Sequence, residues 1–260
     1  VEKIVKIFQF FRVHHFKFNY IIHMLKNKTF LVTGSSSGIG ETITDFLLKN
    51  DAKVIGVSRK KNNFKNLKNF FHIKIDLSNP FNAFEKVKQI ITNFREIDGL
   101  ISNAGTGDFR SLENFSSNQI GKFISLNLTS HILITRALLP HFKKNKNGSI
   151  IYIGSESALK AKKYGSLYSA CKFGLRGFSK SIRDECSNNN IKVTIINPGM
   201  VKTSFFKNLD FSHGDKEGEF LETSDIGKIV LDILNQRQGL VVDEINLSPL
   251  KKVIKFGKKK

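Results

Sequence analysis

Short runs of consecutive apolar residues alternate along this chain with longer stretches in which apolar positions return every three or four residues. Thr29, Phe30, Leu31 and Val32 form the first run, and their continuity predicts a strand covered on both faces. Similar runs at 53–57, 71–75, 99–102, 150–153, 192–196 and 240–245 predict further strands. Between them, helical periodicity predicts helices over 39–49, 81–94, 120–142, from Tyr168 through Phe173, Leu175, Phe178 and Ile182, and over 224–234. Strands alternating with helices in this way imply an α/β fold. The expected form is a single doubly wound, mostly parallel sheet with helices on both faces and a ligand crevice at the carboxyl edge of its strands.

Composition narrows the class without changing the fold. At 260 residues and 40% hydrophobic content the chain can bury one large core, and nothing requires a second. No apolar run approaches the length needed to cross a bilayer. Cys171 and Cys186 have no metal spacing and no disulfide framework, and the seven histidines form no ligand pattern. That suits a reducing, cytoplasmic setting without a metal. The net charge of +20 is spread through every segment. With no basic recognition helix to focus it, no specific nucleic-acid partner is expected, although anionic ligands are favoured. Residues 1–23 carry Ile4, Ile7, Phe8 and Phe11 at helical spacing among lysines. They read as an N-terminal extension, either a short amphipathic helix, a tail or an over-extended translation start, and not as a secretory signal. The domain proper then covers 24–260.

Candidate chemistry concentrates in the stretch SESALKAKKYGSLYSACK, Ser155 to Lys172. Tyr168 and Lys172, four residues apart, share one helix face. For a phenol to shuttle protons near neutrality its pKa must fall by roughly 3, worth about 4 kcal/mol, and a neighbouring ammonium can supply much of that. Ser155 follows the apolar run at 150–153, so a hydroxyl at a strand end and a phenol on a helix could hold one carbonyl oxygen between two donors. Upstream, TGSSSGIG at Thr33 to Gly40 follows a strand and opens a helix. Gly34 permits the tight turn, Gly38 lets phosphates approach the backbone, Gly40 lets helix and sheet pack closely, and the helix N-terminus faces a pyrophosphate. At the end of the second strand stand Ser58, Arg59, Lys60 and Lys61 in place of an acidic residue. Arg59 can grip a phosphate with two parallel bonds, which favours NADP(H) over NAD(H).

These motifs, with SNAG at Ser102 to Gly105, Asn127, and NPGMVKT at Asn197 to Thr203, resemble the short-chain dehydrogenase/reductase family across residues 25–250. The resemblance implies a Rossmann-like fold with Asn127, Ser155, Tyr168 and Lys172 as the catalytic set. It implies cofactor contacts from Thr33, Gly34, Ser36, Ser37, Gly38, Ile39 and Gly40. Asp76 would meet the adenine amine and Leu77 its ring, although Asp76 could equally cap the next turn. Asn103, Ala104 and Gly105 would lie against the adenosine ribose, Tyr168 and Lys172 beside the nicotinamide ribose. Pro198, Gly199, Val201 and Thr203 would reach the nicotinamide. Asn127 would bend its helix and hold a water linking Lys172 to solvent, or simply satisfy a neighbouring carbonyl. Two departures stand out: Ser37 replaces a basic residue before the second glycine, and Ser102 replaces an asparagine.

The expected activity is interconversion of a carbonyl and an alcohol with NADP(H) preferred and NAD possible, on a small-molecule substrate and in a homodimer or homotetramer. Phe205, Phe206, Leu209 and Phe211 read as a substrate lid or an ordinary surface loop. Reduction of 3-oxoacyl groups on an acidic carrier protein is the alternative activity. The ending VVDEINLSPL also resembles a branch acting on small hydroxy acids, but Ser248 stands where that branch commonly has arginine. A cofactor-sensing regulator without chemistry is the rival from another class, and an intact Ser155, Tyr168, Lys172 set argues against it.

Overall fold

A computed structural model describes residues 25–60, 68–94 and 96–257. The extension assigned to residues 1–23, and Lys61, lie outside the described residues. Parallel strands β1 (Thr29–Thr33), β2 (Lys53–Ser58), β3 (Phe70–Lys74), β4 (Gly99–Ser102), β5 (Gly148–Ile153), β6 (Ile191–Pro198) and β8 (Glu244–Leu247) form one sheet in the order β3-β2-β1-β4-β5-β6-β8. Helices α1 (Gly38–Lys49), α2 (Pro80–Asn93), α3 (Ser117–Ile124), α4 (Ser130–Asn145), α5 (Ser166–Cys186) and α6 (Thr223–Leu234) connect them. This is the Rossmann-like, doubly wound single domain that the alternating pattern implies.

Each apolar strand run serves two cores because successive side chains leave opposite faces of a strand. Leu31, Ile55, Leu100, Ile150 and Val193 face one way, where Val87 and Ile90 of α2, Leu138 and Phe142 of α4, and Leu175 of α5 cover them. Their neighbours Phe30, Val32, Val54, Ile101 and Ile151 face the other way onto Ile43 and Leu47 of α1 and Ile226 and Val230 of α6. A strand with both faces covered cannot alternate polar and apolar residues, so the continuous runs follow from the layering.

Two elements depart from expectation. The helix predicted over 120–142 is two helices, α3 and α4, joined by a π-helical turn at Ser125–Thr129 with buried Asn127 inside it. Asn127 makes side-chain bonds to backbone on both sides, which holds the wider turn in place. The last strand of the sheet lies at Glu244–Leu247, later than the 240–245 run suggested. Its register is set by polar pairing: Asn197 Nδ2 donates to Glu244 Oε1 and Asn246 Oδ1, both at 2.9 Å, while Arg176 grips the Glu244 carboxylate at 2.8 and 3.0 Å. A periodicity argument sees only apolar positions and passes over such a clamp.

The sequence reading also left out a small antiparallel pair, β7 (Phe211–His213) with β9 (Ile254–Phe256). It ties the loop after β6 to the end of the described chain. β1 lies between β2 and β4, so the connections leaving β1 and β4 diverge and open a crevice at their carboxyl ends.

Candidate active site

Main chain approaches main chain closely at that crevice. Gly34 and Gly38 adopt φ of +67° and +57°, a region that strains other residues. A Cβ on Gly34 would lie 2.8 Å from Asn103 Nδ2, and one on Gly40 would lie 2.2 Å from the Gly34 carbonyl oxygen. Thr33 Oγ1 accepts from the amides of Asn103 (2.9 Å) and Ala104 (3.1 Å), and Asn103 Nδ2 returns a bond to the Thr33 carbonyl at 3.1 Å. Ser37 caps α1 with extended backbone and no side-chain bond to the first turn, which leaves helix-end N–H groups for an anion.

A cavity of about 890 Å³ runs from this turn across the sheet edge, within the size of small-molecule sites. Of the residues singled out from sequence, Gly34, Ser36, Ser37, Gly38, Ile39, Arg59, Asp76, Leu77, Asn103, Ala104 and Gly105 line its first half. Asn127, Ser155, Tyr168, Lys172, Pro198, Gly199, Val201 and Thr203 line the rest. Thr33 and Gly40 do not. Thr33 is buried beneath the turn and holds the β4 end, while Gly40 is the helix-to-strand contact. Both act by shaping the cradle. Asp76 does cap a turn, since its Oδ1 accepts from the Ser78 amide and hydroxyl at 2.9 and 2.8 Å; those bonds hold its carboxyl below the usual range.

The catalytic candidates converge from three elements. Ser155 follows β5, and its Oγ accepts from the Ser157 amide at 3.1 Å. Tyr168 and Lys172 both sit on α5, 7% and 4% exposed. Lys172 Nζ donates to the Ile153 carbonyl at 3.0 Å and stands 5.7 Å from the Tyr168 ring centre. Asn127 Oδ1 accepts from the Thr106 amide at 3.0 Å and its Nδ2 donates to the Phe123 carbonyl at 3.1 Å. An amide has one more lone pair and one more N–H than these bonds use.

Electrostatics correct one expectation. Burial pushes the Tyr168 phenol up to about 12, against the opposing interaction with the Ser155 hydroxyl. The same burial lowers the Lys172 ammonium to about 8. The expected lowering of the phenol is therefore absent in the protein alone, because removing both groups from water disfavours both charged forms. Below them, Ser102 Oγ and His131 Nδ1 lie 2.7 Å apart in the core. Burial, helped by the Lys172 charge, drives His131 down to about 3, so it is a neutral partner for the serine that stands in place of an asparagine.

Several lining residues escaped the sequence reading. Phe109, in the loop after the SNAG motif, packs on Tyr168 with ring centres 5.1 Å apart. Lys162, Lys163 and Tyr164 form part of the rim, and Ile254 and Phe256 reach it from β9. The available signal was apolar residues in otherwise polar, lysine-rich loops. By itself that signal does not say where a loop folds back.

Residues 28–212 match the short chain dehydrogenase family. This chain belongs to that family. The short-chain dehydrogenase is 28% identical over 231 residues to an uncharacterized oxidoreductase of Staphylococcus epidermidis, covering 87% of this chain and 99% of the relative. It is 33% identical over 191 residues to a 3-oxoacyl-acyl-carrier-protein reductase of Buchnera aphidicola, covering 72% of this chain and 78% of the relative. Among solved structures, an alcohol dehydrogenase of Thermococcus sibiricus complexed with 5-hydroxy-NADP superposes with a TM-score of 0.76 at 22% identity, covering 88% and 99% of the two chains. The short-chain dehydrogenase described here is an NAD(P)-dependent oxidoreductase, and its glycine cradle and open helix end fit a dinucleotide. Among the described residues no helix is long and apolar enough to cross a membrane.

Replacing Gly34 with alanine places a Cβ in the cradle at a positive φ. Gly34→Ala should weaken NADPH binding about fivefold or more, since strain and overpacking of this kind cost about 1–3 kcal/mol; fluorescence titration of NADPH measures it.

Proposed function

We propose that this enzyme reduces a carbonyl compound with NADPH, or oxidises the corresponding alcohol, with Tyr168 as proton donor and acceptor. The observation that carries the reading is the convergence of Ser155, Tyr168 and Lys172 in one cavity with the glycine cradle. The turn at Gly34 to Ile39 would hold the pyrophosphate, Asn103 to Gly105 and Lys172 the riboses, Asp76 and Leu77 the adenine, and Pro198, Gly199, Val201 and Thr203 the nicotinamide. NADPH, when bound, supplies the hydride.

A phenol near 12 is fully protonated at neutral pH, which suits donation of its proton to a carbonyl oxygen that is gaining negative charge. Ser155 donates a hydrogen bond to the same oxygen and fixes its direction. Lys172, charged below about pH 8, stabilises the phenolate that donation leaves behind. Its two N–H groups beyond the Ile153 bond are available inside the cavity for that purpose. Asn127 anchors the loop carrying Gly105 and Thr106 to the helix, and its spare lone pair and N–H allow a water link towards Lys172. Arg59 at the cavity's adenosine end supports a preference for NADP(H), because a guanidinium pairs with a 2′-phosphate that an acidic residue would repel. Lys162, Lys163 and the scattered surface lysines contribute a favourable field for an anionic cofactor.

The Buchnera relative favours a second reading, reduction of 3-oxoacyl thioesters, which would require faster turnover of acyl thioesters than of free ketones. A homodimer or homotetramer would use the outer groove of α4 and α5, lined by Ile132, Leu139, Phe178 and Ile182.

Tyr168→Phe should retain NADPH binding and lose at least about 100-fold in kcat, the scale of a lost general acid, in a stopped-flow assay of NADPH oxidation; a variant keeping most of its turnover refutes the assignment. For the wild type, kcat/KM for reduction should fall as pH rises through about 8, where Lys172 loses its proton, and a profile flat to pH 10 contradicts its electrostatic role. Arg59→Ser should lower the NADPH-to-NADH ratio of kcat/KM about tenfold or more, given the strength of guanidinium–phosphate pairing, as read by parallel assays with the two cofactors.

A further inference from the structure

The substrate half of the cavity is walled by aromatic rings. Phe109 lies 5.1 Å from the Tyr168 ring and 5.0 Å from Phe211. Phe205 stands 6.0 Å from Tyr168, Phe206 contacts Phe205 and Phe211 at 5.2 and 5.9 Å, and Phe256 lies 6.4 Å from Phe211. This arrangement continues outwards to the rim, where Tyr164 is 53% and Phe256 80% exposed within the same cavity.

Backbone features place both outer residues at the rim. Tyr164 has φ of +61°, a strained conformation for a bulky side chain that tends to persist at functional sites. Phe256 belongs to β9, which pairs with β7 and is further tied by the Gly257 amide to the Asp210 carbonyl at 3.2 Å and by the Lys255–Asp215 ion pair. Exposed aromatic surface continuous with an aromatic cavity marks a place where apolar ligand replaces water.

The polar groups are distributed to match. Donors for a carbonyl oxygen stand at the inner end, on Ser155 and Tyr168. Lys162 and Lys163 line the cavity only at its exposed rim, with Lys163 Nζ over the Tyr164 ring at 5.1 Å. Ser248, the position at which a carboxylate-binding cation would be sought, does not line the cavity. Among the described residues Lys172 is the one cation at that inner end, bonded to the Ile153 carbonyl and facing Tyr168, so a carboxylate next to the reacting carbon would compete with the phenolate for it and otherwise press against phenylalanine, a costly burial.

We propose that the substrate is a ketone, an aldehyde or the corresponding alcohol carrying an aryl or medium-chain alkyl group beside the reacting carbon. That group runs from Tyr168 past Phe109 and Phe211 towards Tyr164 and Phe256. Phe109 and Phe256 are the specificity-determining residues. The inference rests on the oxidoreductase reading above and deepens it by naming the substrate class.

The test is a series of methyl ketones, acetone, butanone, octanone and acetophenone, against pyruvate, glyoxylate and succinate semialdehyde, each assayed with NADPH. The expected result is a kcat/KM at least about tenfold higher for octanone or acetophenone than for butanone, with the acids lower still, since each buried methylene is worth a measurable factor. Phe109→Ala and Phe256→Ala should each reduce the octanone-to-butanone ratio by about fivefold or more on the same scale. A second arm uses calorimetry on the Tyr168→Phe protein saturated with NADPH, in which octanone and acetophenone should bind and pyruvate should not. Acids turned over as well as octanone, or a flat ketone series unchanged in both phenylalanine variants, overturn the substrate class and leave the oxidoreductase reading standing. Binding of the apolar ketones without turnover by the wild type overturns the oxidoreductase reading and upholds the class of ligand. Neither binding nor turnover of an apolar ketone overturns the inference.

Discussion

The contact between the β1 turn and the end of β4 is the constraint on which the site depends. Thr33 Oγ1 accepts two backbone amides of the neighbouring strand's extension, and the helix following the turn approaches so closely that only hydrogen fits at Gly40. Together these set the separation of β1 from β4 where their connections diverge. Everything at the sheet edge inherits that spacing: the open N-terminus of α1 on one side, the Asn103 to Gly105 backbone in the middle, and through Gly105 and Thr106 the Asn127 amide. A residue with a side chain in this contact would move several elements at once, because close-packed backbone has no flexible end that can yield.

Dryness is the second organising condition. Tyr168 and Lys172 are taken out of water together, and the result is a phenol that holds its proton and an ammonium that holds its charge weakly. Both shifts come from the same desolvation and oppose ionisation. In the proposed reduction the phenol would give its proton to the carbonyl oxygen and the ammonium would keep its charge beside the phenolate, since a developing charge in a low-dielectric site interacts strongly with each neighbour. The neutral His131–Ser102 pair beneath them fills a buried polar position without adding a charge that would compete with Lys172.

The aromatic wall shows how a common framework acquires a particular mouth. Phe109 follows β4, Phe205 and Phe206 follow β6, and Phe256 arrives on a strand near the end of the chain. Their only shared feature in sequence is being apolar within polar loops. The β7–β9 pair sets Phe256 opposite Phe211, against which Phe109 and Phe206 pack, and backbone pairing does so largely without regard to which side chains the strands carry.

Local signals were sufficient for most strands of the main sheet, the glycine turn and the pairing of Tyr168 with Lys172, because each depends on residues within about one element of one another: continuous apolar runs such as Phe30 to Val32, positive-φ glycines at Gly34 and Gly38, and the helical spacing of Tyr168 and Lys172. Resemblance joined these fragments into one family pattern. Tertiary structure alone decided matters that depend on distant partners. The π-helical turn at Asn127 is held by Thr106 and Phe123, the register of β8 by Asn197 and Arg176, the pKa of Tyr168 by burial under Phe109 and Phe205, and the position of Phe256 by its pairing with β7. Periodicity is a property of neighbours along the chain, whereas solvent exclusion and cross-strand pairing arise only once separated segments have met.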